Sequence, residues 1–386
     1  MDFAYSEEQE AVRELAGRIF TERSTHERLK AVESAAGPDG PFDRELWTAL
    51  AEAGLLGIGL PEDVGGADLD FVAVCLVVEA AGRTAAHVPL VETLVYGAAA
   101  IDRFGTDEQR RSWLPRVAAG EVVLTAGLAE LVGDVVVPGG SAPSTTATRQ
   151  AGGWRLEGTK ACVPAGLLAD LVLVPATLLG EGGQPDGLGV FLVATDAAGL
   201  RRTRQDGPAL PEALLELSGV VVSDDALLGG AAADAVATVD LITQRATAAL
   251  CVEEAGVAAA AVALIGEYTK TREQFEKPIA TFQAVGQRAA DAYVDAEAIR
   301  LTAWQATWRL SADLPATAEV ATAKFWAADG GQRVVHAAVH LHGGVGVDRD
   351  YPLHRLFLIT RQIELTLGGA HASLQRLGAV LAADPA

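Results

Sequence analysis

Apolar and polar residues alternate with a helical period in the first part of the chain. A first helix is predicted over residues 6–21, where a serine followed by two acidic residues provides a suitable start. A second is predicted over residues 43–53, with Gly54 ending it in the left-handed conformation. The stretch 69–81 is nearly all apolar, which predicts a helix buried between others. These patterns predict a helical N-terminal domain over residues 1–118.

Beyond this domain the helical period gives way to short runs rich in β-branched residues, each bounded by Gly, Pro or Asp. The runs are EVVLTAGL, GWRLEGTKACV, DLVLVPATL, GVFLVAT and LELSGVVVS. Such runs are typical of a small antiparallel sheet or barrel. We therefore predict an antiparallel middle β domain over residues 119–228, in which the Gly- and Ala-rich stretches 139–153 and 179–187 are loops.

The last part of the chain returns to helical patterns. Residues 231–275 are Ala-rich and contain no Pro, which allows one helix of about 60 Å. Further helices are predicted over residues 282–311, 316–341 and 352–381, with short connections between them. Four long antiparallel helices make a bundle, so residues 229–386 are predicted to form a C-terminal four-helix bundle. The predicted fold class is α+β multidomain.

Composition narrows the function classes. A chain of 386 residues, half of them hydrophobic, has the size of two or three packed domains. Its formal net charge of −21 argues against nucleic acid or an anionic membrane surface as a partner. A local basic site would still bind phosphate groups.

Compartment and membrane association follow from simpler observations. The first twenty residues lack the basic start and apolar core of a secretory signal. Apolar runs such as residues 71–78 are shorter than the roughly twenty residues that a membrane span needs. The cysteines, Cys75, Cys162 and Cys251, are far apart and show neither disulfide nor metal spacing. We expect a cytoplasmic protein.

The stretch TREQFEKPIATFQAVGQ, residues 271–287, carries the most chemistry. It places a fixed cation (Arg272), two aromatic rings (Phe275 and Phe282) and an amide (Gln283) between two long helices. A guanidinium pairs with phosphate oxygens, aromatic faces stack on adenine, and an amide reads a hydrogen-bonding edge. The alternative is a plain corner between helices, with an exposed arginine and two core aromatics.

A glycine turn at the end of the third bundle helix is a second candidate. Because Gly343 and Gly344 have no side chains, a backbone there can approach a phosphate or ribose closely, although helices often end in glycine for structural reasons alone. His336 and His340 are one turn apart, but a zinc helix of the HExxH type needs Glu where this chain has Ala337. No metal site is predicted.

Several of these motifs resemble one family. REQFEKPIATFQAVGQ, followed further along the chain by HLHGGVGVDRDYPLHR, resembles the C-terminal half of the acyl-CoA dehydrogenase flavoproteins. DFAYSEEQEAVRELAGRIF and ELWTALAEAGLLGIGLPEDVGGADLD resemble the opening helices of the same family. The similarity is specific at both ends of the chain and poor in the middle.

The resemblance implies a cofactor and the residues that bind it. It implies that FAD is the cofactor, and that the arginine stretch and the glycine turn contact the adenosine diphosphate half of a neighbouring subunit's FAD. His340 stands where family members often have Gln. The implied FAD-binding residues are Arg272, Phe275, Phe282, Gln283, His340, Gly343 and Gly344.

The chain departs from the family at the catalytic base. Desaturation of an acyl-CoA thioester needs a carboxylate to take the C2 proton while hydride leaves C3. The family's usual position for this Glu corresponds to Leu367, and the alternative position in some relatives corresponds to Ala246; neither residue can take a proton. Glu364, Glu253 and Glu254 lie near these positions and remain alternatives. The catalytic residue is therefore left unassigned.

The middle domain departs as well. Residues 126–136, AGLAELVGDVV, and 160–170, KACVPAGLLAD, lack the hydroxyl and amide donors that the family places around the flavin ring. Without the base and these donors, the chain resembles the partner subunit of actinobacterial heterotetrameric acyl-CoA dehydrogenases, such as those acting on steroid side-chain CoA esters. That partner subunit lacks the usual base. The implied partners are an acyl-CoA substrate, a second acyl-CoA dehydrogenase-like subunit and an electron-transfer flavoprotein. A self-sufficient homotetrameric enzyme with a displaced base and a non-catalytic structural subunit remain alternatives.

Overall fold

The computed structural model describes residues 4–131 and 142–383. Its first part is helical, as predicted, with a π-helical stretch at Val91–Ala98 before α5. The helices are α1 (Glu7–Arg23), α2 (His26–Ser34), α3 (Arg44–Glu52), α4 (Phe71–Thr84), α5 (Ala99–Phe104) and α6 (Asp107–Ala118).

The predicted start of the first helix and end of the second are confirmed. At Ser6 the hydroxyl oxygen accepts a bond from the Gln9 backbone N–H at 3.2 Å, and the Gln9 side chain accepts one from the Ser6 N–H at 3.0 Å. This reciprocal capping satisfies two amide groups that a helix start otherwise leaves unpaired. Gly54, just after α3, has a φ of +74°, the left-handed conformation that the sequence predicted.

The middle part is an eight-stranded sheet with strand order β1-β5-β3-β4-β8-β7, to which β2 adds beside β4 and β6 beside β5. Most neighbours are antiparallel, as predicted, but β5 pairs in parallel with both β1 and β3. The strands are β1 (Leu124–Ala126), β2 (Ala129–Glu130), β3 (Thr146–Gln150), β4 (Gly153–Pro164), β5 (Leu171–Leu179), β6 (Pro185–Ala194), β7 (Leu200–Gln205) and β8 (Glu212–Ser223).

The predicted loop over 139–153 is wrong where β3 lies, since Thr146–Gln150 pairs with β4 and β5. Residues 139–141 of that prediction lie outside the described residues. The second predicted loop, 179–187, is shorter than expected because β6 already begins at Pro185. Backbone pairing with neighbouring strands outweighs the low strand propensity of these polar and Gly-rich residues.

The C-terminal part is helical. Its helices are α7 (Ala235–Thr271), α8 (Gln283–Ser311), α9 (Thr317–Phe325), α10 (Gly331–His342), α11 (Leu353–Leu365) and α12 (Ala370–Ala383). A π-helical stretch, Trp326–Gly330, joins α9 to α10, so the predicted helix over 316–341 runs through. Between α7 and α8 a short hairpin forms from β9 (Glu273–Gln274) and β10 (Lys277–Pro278).

The predicted helix over 352–381 is wrong as a single helix, because it breaks between α11 and α12. Leu367 and Gly368 have φ angles of +59° and +98°. The Lys324 ammonium donates to the Ile363 carbonyl, and Arg376 Nη1 donates to the Leu367 carbonyl at 3.2 Å. Carbonyls that a helix end leaves unpaired are thus capped by two cations from neighbouring helices.

The chain forms two compact units. The first comprises Met1–Ala31, Phe71–His87 and Thr247–Ala386, and the second comprises Val32–Asp70 and Val88–Ala246. The three domain limits predicted from the sequence stay a prediction beside this division.

In the first unit, two glycines allow α4 and α7 to approach closely. A Cβ atom at Gly82 would lie 2.3 Å from the Glu253 carbonyl oxygen, and one at Gly256 would lie 2.3 Å from the Glu79 carbonyl oxygen. In the second unit, the sheet buries an apolar core that includes Leu156, Val172, Phe191 and Val220.

The helix α7 is long and apolar enough to cross a membrane by length and composition alone, which the short apolar runs of the sequence did not suggest. However, 67% of its most apolar stretch is buried inside the protein. A core helix of a bundle has this same composition.

Candidate functional site

The hairpin between α7 and α8 presents an aromatic side chain at a constrained turn. Its two turn residues, Phe275 and Glu276, have φ angles of +55° and +65°. Two-residue hairpin turns of this kind need positive φ at both positions, and each non-glycine residue there costs about 1 kcal/mol or more. Phe275 is nevertheless 85% exposed. Packing of Phe275 within the chain therefore offsets little of the conformational cost of the turn.

The second aromatic residue supports the hairpin from below. Phe282 is partly buried, and its ring meets the Phe275 ring edge-on with 6.1 Å between centroids. Lys277 Nζ lies 4.6 Å from the centroid of the Phe282 ring. Gln283 follows as the exposed first residue of α8. The two aromatics and the amide predicted from the sequence are thus neighbours on one surface.

Arg272 is held by its backbone, while its side chain is exposed. Its N–H donates to the Tyr268 carbonyl at 2.9 Å, and its carbonyl accepts from the Ile279 N–H at 2.8 Å. Its guanidinium makes no ion pair or hydrogen bond with any residue in 4–131 or 142–383. An exposed, unpaired guanidinium on a chain with net charge −21 is suited to an anion from outside the chain.

The glycine turn is open to the surface. Gly343 ends α10 with a φ of +61°, and the 3₁₀ turn Gly343–Val347 follows. A Cβ atom at either Gly343 or Gly344 would have nothing within 4 Å. His340 is exposed one turn earlier on α10. The turn therefore leaves room for a ligand where the chain itself places no atom.

Three rings connect the hairpin to the glycine turn. The Tyr268 ring, one turn before Arg272, stacks on the His342 ring with centroids 4.4 Å apart and planes 26° apart. The Tyr351 ring lies 5.2 Å from His342 and 6.5 Å from Tyr268. Sequence reasoning missed this stack. Its signal was the position of Tyr268 four residues before Arg272 and of His342 directly before Gly343.

The two positions that correspond to the family's base carry no titratable group. Leu367 is 7% exposed, and Ala246 is fully buried. Glu364 is partly exposed on α11 and pairs with Arg361 at 2.5 Å, which is a common arrangement for a solvated helix carboxylate. Glu253 is partly buried on α7, where its backbone faces Gly82 of α4.

Glu254 is buried in the first unit. It is 0% exposed, its Oε1 accepts a bond from the Thr360 hydroxyl at 2.9 Å, and its Oε2 has no partner among the described residues. Burial raises the pKa of Glu254 well above its usual value. A carboxyl group that has no contact with solvent and already accepts a bond from Thr360 is poorly placed to abstract a substrate proton.

In the middle part, two donors in and beside the segment 160–170 bond within the chain. Cys162, at a bulge in β4, has a φ of +48°, and its N–H donates to Gln205 Oε1 at 2.7 Å. The Thr125 hydroxyl donates to the Pro164 carbonyl at 2.7 Å. Of the donor-poor segment 126–136, residues 132–136 lie outside the described residues. That this region lacks donors for a flavin ring stays a prediction.

A buried ion pair connects β4 and β2 in the same part of the sheet. Lys160 Nζ lies 2.5 Å from Glu130 Oε1, with both side chains almost fully buried. Burial opposes ionisation of Glu130, but the Lys160 ammonium and the hydroxyls of Ser144 and Thr145 lower its pKa to about 2. The carboxylate is therefore charged and saturated with donors at neutral pH, and it is not available as a base.

No group of three or more His, Cys, Asp or Glu residues within 4–131 and 142–383 is placed to hold a metal ion. The features that the described residues bring together are a free guanidinium, two aromatic rings, an amide and an open glycine turn. All of them lie in the first unit.

Known proteins share both halves of this chain. Residues 6–121 match the model of the acyl-CoA dehydrogenase N-terminal domain, and residues 236–379 match that of the acyl-CoA dehydrogenase C-terminal domain. The chain is 38% identical over 395 residues to acyl-CoA dehydrogenase FadE27 of Mycobacterium tuberculosis, with 100% of both chains covered.

Two solved structures resemble the chain along its length. One is the ChsE4-ChsE5 complex from Mycobacterium tuberculosis, with a TM-score of 0.90, 38% identity and 100% of both chains covered. The other is the Tcur3481-Tcur3483 steroid ACAD, with a TM-score of 0.87, 44% identity and 98% of both chains covered. The chain therefore belongs to the acyl-CoA dehydrogenase family, whose members are FAD-dependent.

Proposed function

We propose that this chain is the partner subunit of a hetero-oligomeric acyl-CoA dehydrogenase, and that it completes the FAD site of a catalytic neighbour. The observation that carries the proposal is a contrast within the chain. Arg272 and Phe275 are presented, unpaired or exposed, beside an open glycine turn, whereas the usual base position holds the buried Leu367.

The described residues fit the adenosine diphosphate half of FAD. Arg272 would pair with the pyrophosphate, Phe275 and Phe282 would flank the adenine, and the Gln283 amide would bond to its edge. His340, Gly343 and Gly344 would line the other side, where the absence of side chains gives a phosphate or ribose room. FAD held there would supply the acceptor for the C3 hydride of the acyl group, whose C2 proton must pass to a carboxylate. In our proposal the neighbour supplies the carboxylate for that proton.

The relatives support the assembly and the substrate class. The ChsE4-ChsE5 structure is a complex of two differently named chains, and the Tcur3481-Tcur3483 protein is named a steroid ACAD. We infer that the present chain pairs with a second acyl-CoA dehydrogenase-like subunit, and that the pair desaturates a bulky acyl-CoA such as a steroid side-chain thioester.

Further partners follow from the same reasoning. One relative, 27% identical over 371 residues, is named a subunit of a caffeyl-CoA reductase-Etf complex. We infer that an electron-transfer flavoprotein receives the electrons, that the acidic surface binds neither nucleic acid nor membrane, and that the complex works in the cytoplasm.

Replacing Glu364 tests the partner-subunit role against a self-sufficient enzyme. In the coexpressed pair, Glu364→Gln is expected to leave kcat within about twofold, because loss of a partly exposed ion pair within one helix changes little. If Glu364 were the base, kcat would fall by about a hundredfold or more. The measurement is the steady-state rate with a saturating acyl-CoA and an electron acceptor.

Glu297→Gln is the matched control, because Glu297 pairs with Arg300 three residues away, as Glu364 does with Arg361. A hundredfold fall for Glu364→Gln alone would overturn the proposal and favour the displaced base. Equal, small effects of both variants support a base supplied by the neighbour.

A further inference from the structure

We propose that the Tyr268–His342–Tyr351 stack is the positioning element of the FAD half-site and fixes the Arg272 hairpin relative to the Gly343 turn. The inference rests on the proposed function. It concerns residues that would not themselves contact the cofactor.

The stack connects the ends of two helices that carry the two halves of the site. Tyr268 lies in the last turn of α7, and its carbonyl accepts the Arg272 N–H at 2.9 Å. His342 is the last residue of α10, and Gly343 follows it directly. A face-to-face contact of 4.4 Å between the two rings therefore sets the separation of the guanidinium stem and the glycine turn.

Hydrogen bonds fix the middle ring in one orientation. His342 Nδ1 lies 2.7 Å from the Ala338 carbonyl, to which it donates, so Nε2 accepts from the Tyr351 hydroxyl at 3.1 Å. Burial lowers the pKa of His342 and raises that of Tyr351, so the histidine is neutral and the tyrosine keeps its proton at pH 7. Both ring nitrogens are therefore satisfied without a ligand.

The turn beyond His342 is equally constrained. A Cβ atom at Gly346 would lie 2.9 Å from both the Cα and the carbonyl oxygen of Val339, so the turn folds back tightly on α10. Asp350, next to Tyr351, pairs with Lys30 at 2.5 Å. The turn is thus held against α10 by its own backbone, and the ring stack is a direct contact between this end of α10 and the end of α7.

Tyr268 allows a test with a matched pair of variants. In the coexpressed complex, Tyr268→Leu removes the ring and is expected to weaken FAD binding about tenfold or more, because a displaced site loses aligned contacts. Tyr268→Phe keeps the ring and is expected to stay within about twofold of the wild type. The measurement is the FAD dissociation constant of the complex, obtained from the quenching of flavin fluorescence. The titration is run at a temperature well below the melting midpoint of every variant complex.

Two further variants separate positioning from general stability. Tyr351→Phe keeps all three rings but removes the donor to His342 Nε2, and should weaken FAD binding about threefold or more. Tyr5→Leu removes a ring whose centroid lies 5.8 Å from that of Trp304, elsewhere in the same unit. This variant should change FAD binding less than about twofold.

The outcomes distinguish this inference from the proposed function. If Arg272→Ala loses FAD while Tyr268→Leu and Tyr351→Phe both bind it within twofold of the wild type, the positioning inference is overturned and the proposed function stands. If Tyr5→Leu weakens FAD binding as much as Tyr268→Leu does, the effect is one of stability and the inference also fails. If Arg272→Ala keeps full FAD binding, the proposed function itself fails.

Discussion

Arg272→Ala in the assembled complex is expected to weaken FAD binding about 30- to 150-fold, which corresponds to the loss of about 2–3 kcal/mol from a charge-assisted contact to phosphate. The Arg272 side chain is exposed and has no partner among the described residues, so its removal should leave the fold unchanged. The measurement is the FAD dissociation constant of the apo complex after titration with FAD.

Arg18→Ala is the matched control, because Arg18 is also an exposed arginine in the first unit without a partner among the described residues. It should bind FAD as the wild type does. Binding by Arg272→Ala within about twofold of the wild type would mean that this chain does not contact the cofactor. It would then be a structural subunit that only stabilises its neighbour.

Gly344→Val is expected to abolish FAD binding by the complex, with affinity reduced about a hundredfold or more, while the isolated chain folds normally. Within the chain, a Cβ atom at Gly344 has nothing within 4 Å, and its φ is not in the left-handed region. The added side chain would thus meet only a ligand or a neighbour. Gly343, whose φ is +61°, would be the poorer choice because substitution there strains the backbone.

The readouts are the FAD stoichiometry of the complex and the melting midpoint of the chain alone. Gly17→Val on α1 is the control, because a Cβ atom at Gly17 also has nothing within 4 Å. It should retain FAD. A Gly344→Val complex that holds FAD normally would show that the glycine turn is only a helix terminus.

Local signals explain what could be predicted of the fold. The capping serine at position 6 and the left-handed Gly54 are properties of neighbouring residues, so both were visible in the sequence. The strand β7, LRRTRQ, was not, because it is almost entirely polar and owes its place to pairing with β8. The parallel pairing of β5 with β1 and β3 depends on residues far apart in the chain.

The break between α11 and α12 shows a similar limit. Gly368 and Gly369 were the available signal, but Leu367 adopts the left-handed conformation as well. The cation that caps Ile363 comes from Lys324, on a different helix. No local reading of the last helical pattern contains that contact.

The sequence indicated the individual residues of the candidate site but not how they are arranged in space. The cation, aromatics, amide and glycines were recognisable one by one, and they stay predictions as contacts to FAD. Their connection through Tyr268, His342 and Tyr351 required three separate elements to meet. Likewise, Glu254 remained open as a base from spacing alone, and only its burial against Thr360 argues against it.

The most direct test of the partner-subunit role is the flavin-to-protein ratio of this chain, expressed alone and then coexpressed with a second acyl-CoA dehydrogenase-like chain that carries the base. Flavin absorbance against protein concentration gives the ratio. We expect little or no FAD on the isolated chain and one FAD per pair in the purified complex. One FAD per chain with dehydrogenase activity in the isolated protein would contradict the account and identify a self-contained enzyme.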